Sequence, residues 1–199
     1  MDLQQYKVLL LVVTAVSAFL IASPALQRLV VFPQTDYLTE LSLLGPYHNA
    51  TYPFNVADNE NYRLYINVEN RLGSCSYYLI QMKFRNQTQS APDSFNKTSS
   101  YQPSLGNISF FVADKETLEL PIDVSFQYKL DENISDQLDM QTITLNGAAL
   151  NANTTTIAWD SQRKGFYGNL FFELWIFNGT VNAFQYHQRY VSLWLKLNE

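Results

Sequence analysis

The segment Gly168–Phe177, which reads GNLFFELWIF, decides the fold that we predict for this chain. Successive side chains of a strand point to opposite faces, and both faces of this segment are apolar. The two sets are Leu170, Phe172, Leu174 and Ile176 on one face, and Phe171, Trp175 and Phe177 on the other. Such a strand is typically central in a sheet or covered on both sides. The dipeptide Asn178-Gly179 that follows predicts a tight hairpin turn.

Alternating apolar and polar residues also mark the segments on either side of this central strand. The predicted strands are, in chain order, Leu38–Leu44, Tyr62–Asn70, Cys75–Arg85, Ile108–Val112, Leu118–Tyr128, Gln141–Leu145, Thr154–Trp159 and Arg189–Leu197. A short turn at residues 71–74 separates the second of these from the third, which predicts a hairpin between them. Pro121 lacks the N–H that a strand ladder needs, so it predicts a sheet edge or a bulge at that position.

This pattern of short strands and polar turns, without a long amphipathic helix, favours an all-β domain over residues 34–199. We expect an immunoglobulin- or fibronectin-like β-sandwich, although the Cys–Trp–Cys pattern of true immunoglobulin domains is absent from the sequence. The composition agrees with a folded domain, because 13 Tyr and 13 Phe are far too many for a disordered chain. Two polar segments, at residues 86–107 and 131–139, are predicted to be long loops.

Residues 1–33 precede the predicted domain and contain a long apolar segment, Val8–Leu26, without any charged residue. As a helix this segment would be about 28 Å long, at about 1.5 Å per residue, which is close to the thickness of the hydrocarbon core of a bilayer. We therefore predict a single transmembrane anchor. A cleaved signal peptide is the alternative, with an apolar region at Val8–Ala22 followed by the small residues around Ser23-Pro24-Ala25.

Asn-X-Ser/Thr sequons without a proline in the middle position occur throughout the predicted domain. The asparagines are Asn49, Asn86, Asn96, Asn107, Asn133, Asn153 and Asn178. A sequon accepts an N-linked glycan only on the extracytoplasmic side of a membrane. The presence of seven sequons favours glycosylation over chance and predicts that the C-terminal domain lies outside the cell.

The residue types on which most catalytic and metal sites depend are scarce in this sequence. Cys75 is the single cysteine, the two histidines His48 and His187 stand far apart, and the net charge of -5 includes no basic cluster. These features argue against a disulfide framework, a copper or zinc site and a nucleic-acid interface. The sequence also lacks a nucleophile elbow and a glycine-rich phosphate loop. We therefore predict no catalytic residues, no cofactor and no metal ligands.

Acidic residues stand out at two places. One predicted loop contains Asp131, Glu132, Asp136 and Asp139. Their oxygens leave weak calcium binding open as an alternative to a merely solvated loop. Glu173 lies within the apolar central strand, where it should either pair, with Arg189 across the hairpin as the candidate partner, or face water. We favour a structural ion pair over a catalytic role.

Aromatic residues on the outer faces of the predicted strands are the most credible binding feature. They are Tyr65, Tyr77, Trp175, Tyr186, Tyr190 and Trp194. Aromatic rings bind sugars and partner proteins, but they also stabilise sheets as cross-strand pairs. The sequence therefore predicts a possible binding face and leaves cross-strand packing as the alternative.

Several short motifs occur in a fixed order between residues 36 and 197. They are LTEL at 38–41, LLGP at 43–46, YPFNV at 52–56, VEN at 68–70, YY at 77–78, KFRNQT at 83–88, WD at 159–160, GFY at 165–167, FFELW at 171–175, FQYH at 184–187 and LWL at 193–195. In these motifs and their order the chain resembles an uncharacterised archaeal family of membrane proteins, domain of unknown function sixteen-sixteen. The resemblance implies a membrane-attached, extracytoplasmic β-sandwich without an established activity, and it supplies no catalytic residues. Members of that family often have several membrane helices before this domain, whereas this chain has one candidate helix.

The function that we expect is that of a non-enzymatic, N-glycosylated protein anchored at the cell surface, with an adhesion, envelope-assembly or accessory-subunit role. Its expected partners are membrane lipid, through the N-terminal helix, and other envelope or membrane proteins. An extracellular module that binds carbohydrate or peptide through the aromatic face is the alternative. An enzyme is the third and least favoured hypothesis, because no nucleophile, base and orienting group form a recognisable set in the sequence.

Overall fold

A computed structural model describes residues 3–29, 37–93, 95–130, 134, 136–152 and 155–198. The chain divides into two compact units, Met1–Asp36 and Tyr37–Glu199. The first contains the helix α1 (Leu3–Leu29), and the second contains the β-strands.

The helix α1 is apolar around its whole circumference in the part whose side chains are described, residues 4–20. Its exposed apolar side chains are Val8, Leu9, Leu10, Leu11, Val12, Val13, Val16, Phe19 and Leu20. The hydroxyl of Thr14 donates back to the carbonyls of Leu10 and Leu11, at 2.9 and 3.0 Å, which removes its need for water. Over the described residues, no helix reaches the length and apolar character required to cross a membrane. The transmembrane anchor stays a prediction.

The second unit is all-β, as the alternating sequence pattern predicts. Its strands are β1 (Thr39–Leu44), β2 (Asn55–Val56), β3 (Asn61–Asn70), β4 (Ser76–Arg85), β5 (Gly106–Val112), β6 (Thr117–Leu130), β7 (Gln137–Leu145), β8 (Ala148–Asn151), β9 (Thr156–Asp160), β10 (Gly165–Asn178) and β11 (Ala183–Leu197). Each strand predicted from alternation is present with shifted ends. The two short strands β2 and β8 were not predicted from the sequence, because two to four residues are too few to show a period.

The strands form two sheets that share the strand β9. Sheet A has the order β1-β3-β6-β7, with β8 and β9 both paired to β7. Sheet B has the order β5-β4-β10-β11-β2, with β9 paired to the start of β10. All of these pairings are antiparallel except the short pairing of β11 with β2. Because β9 pairs with both β7 and β10, the two sheets form one continuous hydrogen-bonded network that bends at β9.

The inner faces of the two sheets share one hydrophobic core. Sheet A contributes Leu64, Ile66, Val68, Ile122, Val124, Phe126, Leu138, Met140 and Ile143, and sheet B contributes Tyr78, Ile80, Met82, Phe84, Leu170, Phe172, Leu174, Leu195 and Leu197. These positions alternate along each strand, as the pleat of a half-buried strand requires. Burial of this apolar surface is the dominant favourable term in the folding of the domain.

The prediction of a central strand at Gly168–Phe177 is confirmed. The strand β10 pairs with β4 on one side and with β11 on the other. Every residue of its first ten, Gly165–Leu174, is buried. The face that points away from the core includes Phe171 and Glu173, both 0% exposed. Something other than the core therefore covers the outer face of sheet B.

The predicted hairpin between the second and third predicted strands is wrong. The strand β3 pairs with β1 and β6 in sheet A, whereas β4 pairs with β5 and β10 in sheet B. Both strands have an apolar inner face, and these faces oppose each other across the core instead of lying side by side. The segment between them is thus a crossover from one sheet to the other.

The turns also differ in detail from the prediction. The strands β10 and β11 form the predicted hairpin, but four residues, 179–182, separate the paired Asn178 and Ala183. The tight two-residue turn occurs instead at Asn146-Gly147, with φ of 47° and 81°, between β7 and β8. Positive φ at both central positions is what such a turn requires.

Pro121 lies at a position where β6 has a neighbour on one side only. It pairs with Tyr65 of β3, and the pairing of β6 with β7 begins only at Val124. The bulge in β6 lies elsewhere, between Gln127 and Tyr128. Of the two alternatives for Pro121, the edge-like position is confirmed and the bulge is wrong.

Candidate functional site

The outer face of sheet B, the side that points away from the core, gathers most of the predicted aromatic binding face. Five of the six predicted residues lie there: Tyr77 on β4, Trp175 on β10, and Tyr186, Tyr190 and Trp194 on β11. The sixth, Tyr65, lies on β3 of sheet A and stacks on His48 with 4.1 Å between ring centroids. Alternation along a strand predicts which side chains point outward, but it does not show which of the two sheets each of them belongs to.

Four rings at one end of this face form a cluster that we call the aromatic patch. Its members are Tyr77, Phe111, Phe177 and Phe184, contributed by the adjacent strands β4, β5, β10 and β11. Tyr77 stacks on Phe111 at 4.3 Å and lies 5.0 Å from Phe184, while Phe177 and Phe184 meet edge to face at 5.4 Å. Phe111 remains 68% exposed and Phe177 36% exposed.

The middle of the outer face holds a buried ion pair between Lys83 of β4 and Glu173 of β10. The ammonium lies 2.8 Å from the carboxylate oxygen Oε2, and the two side chains are 5% and 0% exposed. The residues are diagonal neighbours, because Lys83 is opposite Phe171 and Glu173 is opposite Gln81. Glu173 thus has the buried structural pair that the sequence predicts, but with a different partner.

The predicted partner of Glu173, Arg189, is wrong. A register shift between Leu174 and Trp175 places Tyr190 opposite Glu173 and Arg189 opposite Leu174. The guanidinium of Arg189 turns to the edge of sheet A, where Nε donates to the carbonyl of Thr39 at 3.3 Å. Alternation alone could not reveal this, since a bulge changes which side chains face each other.

The ion pair holds the 86–105 loop against the sheet. The backbone N–H of Ser100 donates to Glu173 Oε1 at 2.6 Å, and Lys83 donates to the carbonyl of Ser100 at 3.0 Å. Ser100 is 7% exposed, so these two hydrogen bonds are shielded from water. A carboxylate with this burial and these partners has no open route to a substrate, and its role in this arrangement is to fix the loop.

Two polar atoms beside the ion pair have no partner among the described residues: the indole N–H of Trp175 and the hydroxyl of Tyr186. The two rings lie 5.7 Å apart. Burial raises the pKa of the Tyr186 hydroxyl well above its usual range, and the nearby carboxylate of Glu173 raises it further. The Tyr186 hydroxyl is therefore neutral at physiological pH and cannot act as a base.

At the far end of the face, Arg85 covers the ring of Trp194. Its guanidinium lies 4.9 Å from the ring centroid and donates to Asn169 Oδ1 at 2.9 Å and to the carbonyl of Gln89 at 2.7 Å. Burial lowers the pKa of Arg85. Arg85 occupies the face of Trp194 and the 86–105 loop crosses the middle of the sheet. On the strands of sheet B, Phe111 of the aromatic patch is the most exposed ring, at 68%.

A second polar cluster, which the sequence reading missed, joins the two sheets at one end of the domain. His187 Nε2 lies 2.8 Å from the hydroxyl of Thr39, which lies 2.9 Å from that of Tyr78, and Tyr78 donates to Asn70 Oδ1 at 3.1 Å. Asn70 Nδ2 donates to two backbone carbonyls, at 2.8 and 2.9 Å, so its oxygen must be the acceptor. The chain of donors then runs from His187 to Asn70, and His187 carries its proton on Nε2.

This directed chain alternates between the sheets, because His187 and Tyr78 belong to sheet B and Thr39 and Asn70 belong to sheet A. A small cavity of about 190 Å³ adjoins it and is lined by Tyr37, Leu38, Thr39, Leu72, His187, Gln188 and Arg189. Burial lowers the pKa of His187, and the charge of Arg189 lowers it further. The only signal in the sequence was a histidine in a strand, which does not reveal its partners.

The sequons lie at different depths of the surface. Asn49, Asn96 and Asn107 are exposed, and Asn86 and Asn178 are partly exposed. Asn133 and Asn153 lie outside the described residues.

Two of the acidic loop residues, Asp131 and Glu132, also lie outside the described part of the chain. Of the other two, Asp136 is exposed and Asp139 accepts a hydrogen bond from the hydroxyl of Thr156 at 3.0 Å. Within the described residues, no three His, Cys, Asp or Glu side chains form a group that could hold a metal ion.

Comparison with known proteins gives weak structural similarity and no family. No protein-family model matches the chain, and no curated protein matches it. Among solved structures, a β-glucosidase from Listeria innocua in complex with isofagomine aligns with a TM-score of 0.39 and 8% identity. The same enzyme in complex with glucose aligns with a TM-score of 0.37 and 6% identity. The alignments cover 83% and 84% of this chain, but the chain spans only 17% of each enzyme.

Proposed function

We propose that this protein is a non-catalytic, N-glycosylated interaction domain displayed at the cell surface by an N-terminal membrane anchor. Its role is adhesion, envelope assembly or service as an accessory subunit, and its partners are other envelope or membrane proteins. The observation that carries the proposal is the aromatic patch of Tyr77, Phe111, Phe177 and Phe184. It joins four strands on one face and leaves Phe111 68% exposed.

The chemistry around the patch supports contact more than catalysis. Exposed aromatic clusters supply large contact area with little loss of side-chain entropy, and they are enriched at protein interfaces. Two charged groups in the middle of the same face, Lys83 and Glu173, neutralise each other away from water. The patch includes Phe111 of β5, a strand that pairs only with β4 within the described part of the chain.

The apolar character of α1 supports the proposed anchor. Val8–Leu26 contains no charge within a helix of 27 residues, and apolar side chains are exposed on every side of its described part. A helix that is hydrophobic all round is buried either in a protein core or in lipid. With α1 as an anchor, we place the C-terminal domain outside the cell, where its sequons are potential glycan acceptors.

The finer fold class is part of the same proposal. The two inner faces enclose one core, which supports a β-sandwich of the immunoglobulin or fibronectin type. The resemblance to the archaeal family points to the same architecture and the same membrane attachment.

Site-specific photocrosslinking in native membranes tests the contact role of the patch. A photoreactive residue at Phe111 is expected to give a discrete cross-linked product, because this ring is the most exposed of the patch. The matched control carries the same group at Gln127, an exposed position on β6 of sheet A. Equal products at both positions, or none at Phe111, would contradict the proposal.

A carbohydrate- or peptide-binding module is the second candidate, because five of the predicted aromatics share the outer face of sheet B. Two of the three tryptophans, Trp175 and Trp194, lie there, so ligand binding is expected to change tryptophan fluorescence. A saturable change with an oligosaccharide, lost in Trp175→Phe and kept in Trp159→Phe, would favour this candidate over the first.

A further inference from the structure

The sequons of the described chain differ in what their side-chain amides already do in the folded protein. Asn49 is exposed, its Oδ1 accepts the N–H of Thr51 at 3.0 Å, and its Nδ2 has no partner in the described part of the chain. Asn107 is also exposed, and its Oδ1 accepts from Ser104 at 2.7 Å. No described residue contacts the Nδ2 of Asn107 as a hydrogen-bond acceptor. Both nitrogens are therefore open to modification.

Asn96 and Asn178 use their amide nitrogens, but only toward exposed side chains. Asn96 Nδ2 donates to Asp93 Oδ2 at 2.6 Å, and Asn178 Nδ2 donates to Gln185 Oε1 at 2.9 Å. Both hydrogen bonds lie at the surface, where water can replace a lost partner. These two asparagines can therefore also accept a glycan without damage to the fold.

Asn86 differs from these four, because its side-chain amide donates a hydrogen bond to the backbone of a distant strand. Its Nδ2 donates at 2.9 Å to the backbone carbonyl of Thr156, which lies on β9, seventy residues along the chain. Its Oδ1 accepts from the N–H groups of Thr88 and Gln89, each at 3.0 Å. The neighbouring Gln87 donates to the carbonyl of Ala158 on the same strand, at 3.2 Å.

The strand β9 is the element that joins sheet A to sheet B, so this tie holds the junction of the fold. A backbone carbonyl cannot turn away as a side chain can, and an unsatisfied polar group at a partly buried position costs free energy. A sugar on Asn86 Nδ2 would have to fit beside the carbonyl of Thr156, which lies 2.9 Å from that nitrogen.

We propose that Asn49, Asn96, Asn107 and Asn178 are glycan acceptors and that Asn86 stays unmodified as a structural residue. This rests on the proposed glycosylation of the domain. In the transfer, the amide nitrogen forms a bond to the anomeric carbon of a phosphate-activated, lipid-linked sugar donor. The bond from that carbon to the phosphate oxygen breaks, the electron pair leaves with the phosphate, and one amide proton is released to the transferase.

The position of Asn107 gives its glycan a further effect. Asn107 lies on β5, whose other edge is unpaired in the described structure. A free strand edge is a template for unwanted pairing with another chain, and natural proteins block such edges. A glycan on this strand keeps the edge closed to a second strand.

Glycopeptide mass spectrometry on the protein purified from its native membranes tests the assignment. The expected result is glycan mass on Asn49, Asn96, Asn107 and Asn178 together with unmodified Asn86. Occupancy of Asn86 comparable to that of Asn107 would overturn the assignment. A protein without glycan at any sequon would overturn both the assignment and the proposed glycosylation.

A second measurement reads the structural role of Asn86 without reference to glycans. Asn86→Asp removes the donor to Thr156 and places a carboxylate beside a carbonyl, so we expect a lower urea midpoint than in the parent protein. The matched variant Asn107→Asp also removes a sequon but keeps the acceptor for Ser104, and its midpoint should be unchanged. Equal midpoints for the two variants would contradict a structural role for Asn86, even in a protein that carries no glycan.

Discussion

At the scale of single residues, buried polar groups in this domain connect elements that are distant in the sequence. Lys83 and Glu173 hold Ser100 of the 86–105 loop, and His187 ties two strands through Thr39. Groups of this kind stabilise a fold only when each finds its partner, since an unpaired buried charge is costly. Changes in the two clusters are therefore expected to alter the free energy of unfolding in different, measurable ways.

The Lys83–Glu173 pair should respond strongly to the loss of one partner. In Glu173→Leu the ammonium of Lys83 loses its counter-ion, and we expect the free energy of unfolding to fall by about 3–5 kcal/mol. The double variant Lys83→Met/Glu173→Leu removes both charges and should recover much of that loss. Urea unfolding of the two variants checks this. A double variant as unstable as the single one would show that the charge itself is not the cause.

His187 should make the stability of the domain depend on pH. Its pKa is lowered in the folded state by burial and by Arg189, so below its ordinary pKa, about 6.5, the unfolded chain binds the proton first. The contribution of the neutral His187 to the free energy of unfolding is then fully present above that pH. It is lost as the pH falls toward the lower pKa of the folded state. Unfolding free energies between pH 8 and pH 5 should decline in the parent protein and decline less in His187→Gln. Identical slopes would count against this assignment.

At the scale of elements, the turns decide which strands become neighbours. The two-residue turn at Asn146-Gly147 brings β8 onto β7, with Gly147 at φ 81°. The longer connection at residues 179–182 joins β10 to β11, whose register shifts only further along the pair, between Leu174 and Trp175. Both contain an Asn-Gly dipeptide, but only one has both central residues in the left-handed region.

The two glycines of these dipeptides offer a matched test of backbone conformation. A Cβ added at Gly147 or at Gly179 meets nothing within 4 Å, so neither substitution causes a clash. Gly147→Ala puts an L side chain at positive φ and should cost about 1–2 kcal/mol. Gly179→Ala is expected to be neutral or to stabilise by about 0.4–1 kcal/mol through the unfolded state. Thermal unfolding of both variants distinguishes them, and equal costs would refute this account of the turn.

At the scale of the whole molecule, the two compact units have opposite surface chemistry. The described side chains of α1 expose apolar groups on all sides, whereas the β-unit turns its apolar groups into a shared core. This contrast is the basis of the anchor that we propose for the N-terminal segment.

The proposed anchor makes a prediction for the protein in its native cells. We expect the protein to remain in the membrane pellet after alkaline carbonate extraction and to keep its N-terminal residues, since about 28 Å of apolar helix matches a bilayer core. Replacement of Val16, near the centre of the apolar segment, by Arg should weaken retention, with Gln4→Arg as the control outside it. A mature N-terminus near Leu26, found by mass spectrometry, would contradict the anchor and favour a cleaved signal peptide.

The sequence alone determined the local features of this protein: the all-β class, the central position of Gly168–Phe177 and the faces of most strands. These follow from the period of two in a pleated strand, which each segment shows without reference to any other. The candidate aromatic residues were found in the same way, although Tyr65 belongs to the other sheet.

Only the tertiary structure decided which of these segments meet. It placed β3 and β4 in different sheets, matched Glu173 with Lys83 instead of Arg189, and assembled the aromatic patch from four strands. The physical reason is that strand pairing and register depend on packing between residues far apart in the chain, and a single bulge shifts every later pair. Alternation shows which way a side chain points, but the residues that it contacts there depend on how the strands pack in the folded core.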